Sequence, residues 1–295
     1  MDWDHAIFYN ENSAARLGWE PQWFGCQEID DQCCRNIQKY QRLNNLVADG
    51  LCGPSTYRRI YASMQADNPA MLSDHSAGLE HGYQARSIVY GGHAYQIDWP
   101  KVVLWTEDRG FAASSDHYKT SSDRDIRFMV NHWDVCLNST SCFKVLENRG
   151  LSVHFLLDYD GTIYQTMDMM DIAYHAGGRN WNTCSVGVEI NNPFYLKYQS
   201  WYQDRGLERP IVSKARVHGQ PLETHLGFFG VQLSALRALT RAVSDACDIP
   251  LQTPDTLGVD SECTSCQYRG FIQHYHLKAN KIDCASLDLK QIIGD

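Results

Sequence analysis

Short apolar runs separated by turn residues dominate the chain from Ser87 onward, and they alternate with segments of helical period. Ser87 to Trp105 switches between apolar and turn residues, which predicts the opening strands of a sheet. Ile126 to Val130 is an apolar strand that runs into Asn131, His132, Trp133 and Asp134. Val153 to Leu157 is another; Asp158 to Gly161 supplies an Asp-x-Asp-Gly turn, and Thr162 to Gln165 resumes a β-branched and aromatic pattern, so the stretch predicts a hairpin. Ser185 to Ile190 is apolar apart from Glu189. Cys142 to Asn148 reads as helical. Val231 to Cys247 is an amphipathic helix with Leu233, Leu236, Leu239 and Val243 on one face, predicted to cover the sheet.

The first 65 residues have a different period. Ile37, Tyr40 and Leu43 fall on one helical face, Asp49-Gly50 makes a tight turn, and Pro54-Ser55-Thr56 opens a further helix through Arg58, Arg59 and Ile60. Residues 66–85 are polar, contain Pro, Gly and Ser, and show no period, which predicts a linker. Residues 193–230 also lack a regular period and are rich in aromatics. They predict a long insertion beside a cleft, whose Tyr195, Tyr198, Trp201, Tyr202, Phe228 and Phe229 either stack on sugar or peptide or pack against the domain.

Composition narrows the class. At 295 residues the chain exceeds the size at which single cores tend to split, so two domains are expected, 1–65 and 86–295. A net charge of −9 opposes general binding to nucleic acid or anionic membrane. No run approaches the roughly 18 apolar residues of a membrane span, so no membrane insertion is expected. MDWDHAIFYN is acidic and polar with no secretion signal, so synthesis in the cytoplasm is expected. Eleven dispersed cysteines, an odd number, suit a reduced compartment better than a disulfide framework. Cys263 and Cys266 form a CxxC with no second CxxC or close His pair, a weak zinc signal, and Cys33 and Cys34 read as packing residues.

Candidate chemistry concentrates in three places. A carboxylate within an apolar strand costs several kcal/mol if unpaired, so Glu189 is expected to be hydrogen-bonded, protonated or close to a metal. His132 lies at a strand end, where side chains project into the cleft capping a sheet. His175 is followed by Gly177 and Gly178, which permit close backbone approach to a ligand. Near the C-terminus, HYHLKANKIDC offers His274 and His276, then Lys281, then Asp283 and Cys284. A distant His, a second His, and a Cys or Asp some ten residues later match three zinc ligands with an open fourth position, the arrangement of catalytic rather than structural zinc.

Taken together, HWD at 132–134, the hairpin SVHFLLDYDGTIYQ, the YHAGG loop, GVEINN and the terminal HYHLKANKIDC resemble the type 2 N-acetylmuramoyl-L-alanine amidase family, over roughly residues 86–292. Asp49, Gly50, Gly53, Pro54 and Thr56 resemble the hallmark run of a small three-helix peptidoglycan-binding domain, and the whole resembles a modular endolysin. The resemblance implies an α/β fold with a mixed central β-sheet flanked by helices, preceded by a three-helix domain. It implies Zn2+ held by His132, His274 and Cys284, with His276 or Asp283 as substitutes, and catalysis by Glu189 and Lys281. Substrate contacts fall on His175, His154, Trp133 and Asn191, and cell-wall contacts on Asp49, Gly50, Gly53, Pro54 and Thr56. A tyrosine of the family is Val153 here, and a usual Pro-Gly is Ala285-Ser286. The implied activity is hydrolysis of the amide between N-acetylmuramic acid and L-alanine, acting as a monomer on the glycan strand and stem peptide of the wall after release. The alternatives are a non-catalytic peptidoglycan-recognition protein and a cytosolic muropeptide-recycling amidase.

Overall fold

Helical periodicity gives way to strand alternation across the linker, and the computed structural model describes residues 3–67 and 87–294 on either side of it. The linker expected at 66–85 lies outside the described residues from 68 onward. The chain divides into two compact units, 1–73 with 144–149 and 74–143 with 150–295.

In the first unit, α1 (Trp3–Leu17), α2 (Asp31–Leu43) and α3 (Pro54–Asp67) are the α-helices, with a one-turn 3-10 helix at Pro21–Phe24. The Asp30 carboxylate caps α2 by accepting from the Cys33 N–H. The buried stripe of α2 is Cys33, Cys34, Ile37 and Gln41. Leu43, expected on that face, is 75% exposed, because the stripe follows the i, i+4, i+8 positions from Cys33.

A buried glutamine lies among apolar neighbours in that stripe because it organises the turn between α2 and α3. Gln41 accepts from the Gly50 N–H at 2.8 Å and donates to Asp49 Oδ1 at 2.8 Å and to the Leu51 carbonyl and Thr56 Oγ1 at 3.0 Å. Asn10 completes the arrangement by donating to the Gly50 carbonyl and accepting from the Cys52 N–H. Gly50 has φ of 70°, a conformation that favours glycine, and Pro54 begins α3 where no N–H is required. The Asp49–Thr56 run expected to touch the wall is thus chiefly an internal scaffold. Gly50 and Thr56 are buried and Asp49 is engaged by Gln41, so of the five residues expected to contact the wall only Pro54 is fully at the surface.

The second unit is built on β1 (Ser87–Tyr90), β2 (His93–Gln96), β3 (Val102–Leu104), β4 (Tyr118–Lys119), β5 (Phe128–Trp133), β6 (Phe155–Leu157), β7 (Ile163–Gln165), β8 (Ile172–Ala173) and β9 (Ser185–Ile190). After the insertion's β10 (Ile211–Val212), β11 (Arg216–Val217), β12 (Gln220–Pro221) and β13 (His225–Leu226) comes β14 (Gly270–Gln273). The helices are α4 (Ser139–Asn148), whose residues from Lys144 onward count with the first unit, α5 (Arg179–Thr183), α6 (Gln199–Gln203), α7 (Gly230–Cys247), α8 (Ser261–Thr264) and α9 (Leu289–Ile293). Six strands form one mixed sheet in the order β14-β5-β9-β6-β7-β3. Every neighbouring pair is parallel except the β6–β7 hairpin, closed as expected through Asp158 to Gly161.

Alternation along the strands separates the faces. Met129, Trp133, Val186, Val188, Ile190 and Phe271 belong to the main core with Leu236, Leu239 and Val243 of α7. Phe128, Val130 and Ile272 belong to a smaller cluster with Ala176, Cys184, Cys263 and Leu277. The insertion's aromatics pack inward: Tyr198, Trp201, Tyr202 and Phe228 are all buried, so they are not a sugar-stacking surface. Among the described residues no helix is long and apolar enough to cross a membrane.

Replacing Gln41 by Leu keeps the volume but strands the Gly50 N–H in the interior and takes from the Leu51 carbonyl and the Thr56 hydroxyl the donor they share. We expect the first unit to lose about 2–4 kcal/mol, from groups worth about 1–3 kcal/mol each when left unpaired. Urea unfolding followed through Trp19 and Trp23 fluorescence measures this. A loss below about 0.5 kcal/mol would show that the turn holds without the glutamine.

Candidate metal centre

Parallel register brings the chemistry together. His132 of β5 is paired with Glu189 of β9, and Asn131 with Gln273 of β14, so His274 follows directly beside His132. Register partners share a sheet face, and these three lie at the C-terminal ends of the strands, where an open α/β sheet places its ligands. Trp133, the next residue, faces the opposite way into the core, packed against Phe194 and His225.

His132 Nδ1 lies 2.9 Å from His274 Nδ1 and 3.2 Å from Asp283 Oδ2, and His274 Nδ1 lies 2.9 Å from the same oxygen. The three atoms converge on one point. Burial would push the Asp283 carboxyl up, but the two imidazoles outweigh it and hold it well below the usual carboxylate range. His132 is lowered to about 4 by burial, then by His274, with the Lys281 ammonium adding to the effect.

Hydrogen bonding fixes which His132 nitrogen is bare. The Ser185 hydroxyl donates to the Trp181 carbonyl at 2.5 Å and so accepts from His175 Nε2–H at 3.2 Å. His175 Nδ1 is left as the acceptor for His132 Nε2–H at 3.0 Å. The Nδ1 lone pair of His132 is thereby directed at the convergence point. His274 Nε2 is buried with no hydrogen-bond partner among the described residues, and its Nδ1 is the nitrogen aimed at the group.

The donor set fits a metal ion. Ligands about 2.0–2.1 Å from a tetrahedral ion stand about 3.3–3.4 Å apart, close to the separations here. Two imidazoles and one carboxylate leave a fourth position open, and imidazole suits zinc, copper, iron and nickel.

Not every expected residue reaches this point. Cys284, expected as the third ligand, is fully buried in the main core. Asp283, not Cys284, faces the histidines. His276 is excluded as well: its Nδ1 accepts from the Gln273 N–H and its Nε2 donates to the Thr256 carbonyl.

The expected substrate contacts are also corrected. His154 is fully buried, accepting from the Gly187 N–H and donating to the Asp171 carbonyl. Trp133 belongs to the core. His175 has both nitrogens committed, so it orients His132. Asn191 is buried and donates to Asp134 Oδ2 at 3.1 Å, while Arg209 of the insertion donates to Asn191 Oδ1 at 2.6 Å and to the Gly227 carbonyl at 3.0 Å. Asp134 and Asn191 stand two residues beyond His132 and Glu189, so the insertion fastens the strand ends that carry them. Glu189 and Lys281 are half-buried, Glu189 on the His132 face and Lys281 close enough for its charge to act on that imidazole.

Ser185 and Gly187 carry no expectation from sequence but prove necessary. A Cβ at position 187 would stand 2.6 Å from His175 Nδ1, so only glycine admits the ring. The available signal was an isolated glycine inside an apolar strand, a mark of close approach.

A mixed sheet whose parallel strand ends bring His132 and His274 together, with Asp283 added by the returning chain and Glu189 in register beside His132, forms a candidate metal centre. Residues 122–283, which include all four, match the N-acetylmuramoyl-L-alanine amidase family (Amidase_2), and the chain belongs to that family of peptidoglycan amidases. Similar solved structures include an endolysin N-acetylmuramoyl-L-alanine amidase, LysCS, from Clostridium intestinale, 16% identical over 65% of this chain and 93% of that one with a TM-score of 0.39. The endolysin of the Thermus scotoductus bacteriophage Ph2119 is 14% identical over 66% and 100%, with a TM-score of 0.36. The Drosophila peptidoglycan recognition protein SA is 14% identical over 66% and 91%, with a TM-score of 0.34. No curated protein sequence matches the chain.

Two substitutions separate the adjacent candidates for third ligand. Asp283→Asn should lose bound divalent metal, whereas Cys284→Ala should keep it and lose about 1–3 kcal/mol of stability. Elemental analysis with urea denaturation reads both, and the opposite pattern would return the ligand role to the cysteine. Gly187→Ala should displace His175 and weaken metal affinity about 10- to 100-fold, as losses of ligand-orienting partners do. Undiminished affinity in competition with a chelator would show that His132 needs no such support.

Proposed function

We propose that this chain is a zinc-dependent, endolysin-like amidase that hydrolyses the bond between the lactyl group of N-acetylmuramic acid and L-alanine in peptidoglycan. The observation carrying the reading is the convergence of His132 Nδ1, His274 Nδ1 and Asp283 Oδ2, with Glu189 in register on the same face. Zinc held there would supply Lewis acidity and lower the pKa of a water toward about 7. Two neutral imidazoles and one carboxylate would leave such a centre with net positive charge.

The chain's own groups divide the remaining work. Glu189 takes the proton of the attacking water and returns it to the L-alanine amine as that amine leaves. The Lys281 ammonium offers its charge to the oxygen that becomes negative during attack. Val153, buried where the family often has a tyrosine, supplies no hydroxyl, so the proton transfers fall to Glu189. His175 keeps His132 in the required tautomer. The first unit is proposed to hold the enzyme to the wall, and the chain to be made in the cytoplasm and to reach its substrate after release.

Digestion of purified sacculi, with the new ends identified by mass spectrometry, tests the bond. Free L-alanine amino groups and intact muramic acid are expected; cuts between sugars or within the stem peptide would sink the proposal. In the same assay Glu189→Gln should lower kcat by about 10²- to 10⁴-fold with metal content unchanged. A variant within about threefold of wild type would take the proton-transfer role away from Glu189.

A further inference from the structure

The CxxC has no place in the catalytic centre, yet one of its thiols meets a third cysteine distant in sequence. Cys266 Sγ lies 2.6 Å from Cys184 Sγ, across a separation of 82 residues. Cys263 is buried in the smaller cluster with Phe128 and Val130, while Cys266 is half-buried at the edge of that cluster. We propose that Cys184 and Cys266 are a modification site, a thiol pair that small disulfides of the glutathione class oxidise to an intramolecular cross-link.

Three observations support the pairing beyond the approach of the sulfurs. Arg127 holds both backbones: its N–H donates to the Cys184 carbonyl at 2.8 Å and its Nη1 donates to the Cys266 carbonyl at 2.9 Å. Trp181 Nε1 donates to the Thr264 carbonyl at 2.9 Å, joining α5 to α8, so the segments carrying the two thiols are fastened on a second line. Cys266 has φ of 56°, a region costly for a residue with a Cβ and free for glycine, which marks it as a position where the side chain matters. A disulfide requires both Cα positions and side-chain directions to be suitable beforehand, and these contacts hold both segments in place.

The exchange balances. A Cys266 thiolate attacks one sulfur of glutathione disulfide, forming a mixed disulfide and expelling one glutathione thiolate. Cys184 gives its proton to that departing thiolate and attacks Cys266 Sγ, expelling the second glutathione. Two protein thiols are oxidised by two electrons and one small disulfide is reduced to two thiols. Cys184 is buried and Cys266 half-buried, so Cys266 is the first to meet the small disulfide.

The link would join the start of β9 to the segment before β14, the two strands that carry Glu189 and lead to His274. A cross-link closing a long loop restricts the unfolded chain, so the oxidised protein should resist heat better than the reduced one. In reducing conditions the pair stays open; outside them the bond persists. The inference is independent of the bond the enzyme cuts.

The test uses the full chain incubated with glutathione disulfide, alkylated, digested without reduction and examined by mass spectrometry. Linked peptides containing Cys184 and Cys266 are expected, with a melting temperature above that of the dithiothreitol-treated protein. Cys266→Ala should abolish both the linked species and the shift, whereas Cys263→Ala should keep both. Complete alkylation of Cys184 and Cys266, a bond between Cys263 and Cys266, or a glutathione adduct without the internal link would each overturn the proposal.

Discussion

Two imidazole nitrogens, the one on His132 bare, and a carboxylate oxygen within 3.2 Å of one another are tolerable in a protein interior only around a cation or a shared proton. The rest of the catalytic unit serves that constraint. Parallel pairing of β5 with β9 and β14 delivers His132, Glu189 and His274 to the same end of one face, and the return of the chain after β14 adds Asp283. The opposite face, filled by α7 and the aliphatic residues of the strands, keeps those strand ends from moving apart.

The polar groups behind the centre are arranged so that each commits the next. Ser185 decides the His175 tautomer, and His175 decides that of His132, so a hydroxyl at the beginning of β9 determines which nitrogen a metal would meet at the end of β5. Gly187 makes room for the chain of contacts. On the outer side, Arg209 ties the insertion to Asn191, and Asn191 to Asp134. A buried guanidinium and a buried carboxylate at opposite ends of one hydrogen-bonded group are costly to separate, which explains why an irregular segment of nearly 40 residues stays fixed.

The first unit shows the same economy of polar groups. Gln41 and Asn10 satisfy a turn that would otherwise bury bare backbone, and the Asp-Gly run owes its residue types to that turn. Read as a surface, the same residues suggest wall contact; seen in place, they form the frame on which any such surface must be built.

By itself the sequence determined what depends on local pattern. The hairpin at 153–165, the strands around His132 and Glu189 and the helix from 230 to 247 follow from periodicity and turn chemistry, because side-chain alternation and φ preferences act over a few residues. The order of histidines and acids likewise pointed to a three-ligand centre. What only the tertiary structure decided is direction. Asp283 and Cys284 are neighbours of which the sequence favoured the cysteine as ligand, and which one faces the histidines depends on how the chain returns from β14, a matter of packing against the core. The same holds for His274 against His276, for the inward turn of the insertion's aromatics, and for Ser185 and Gly187, whose roles exist only because His175 arrives beside them from another part of the chain. Local preference fixes where a side chain stands along a strand, and contacts between residues distant in sequence fix what it meets.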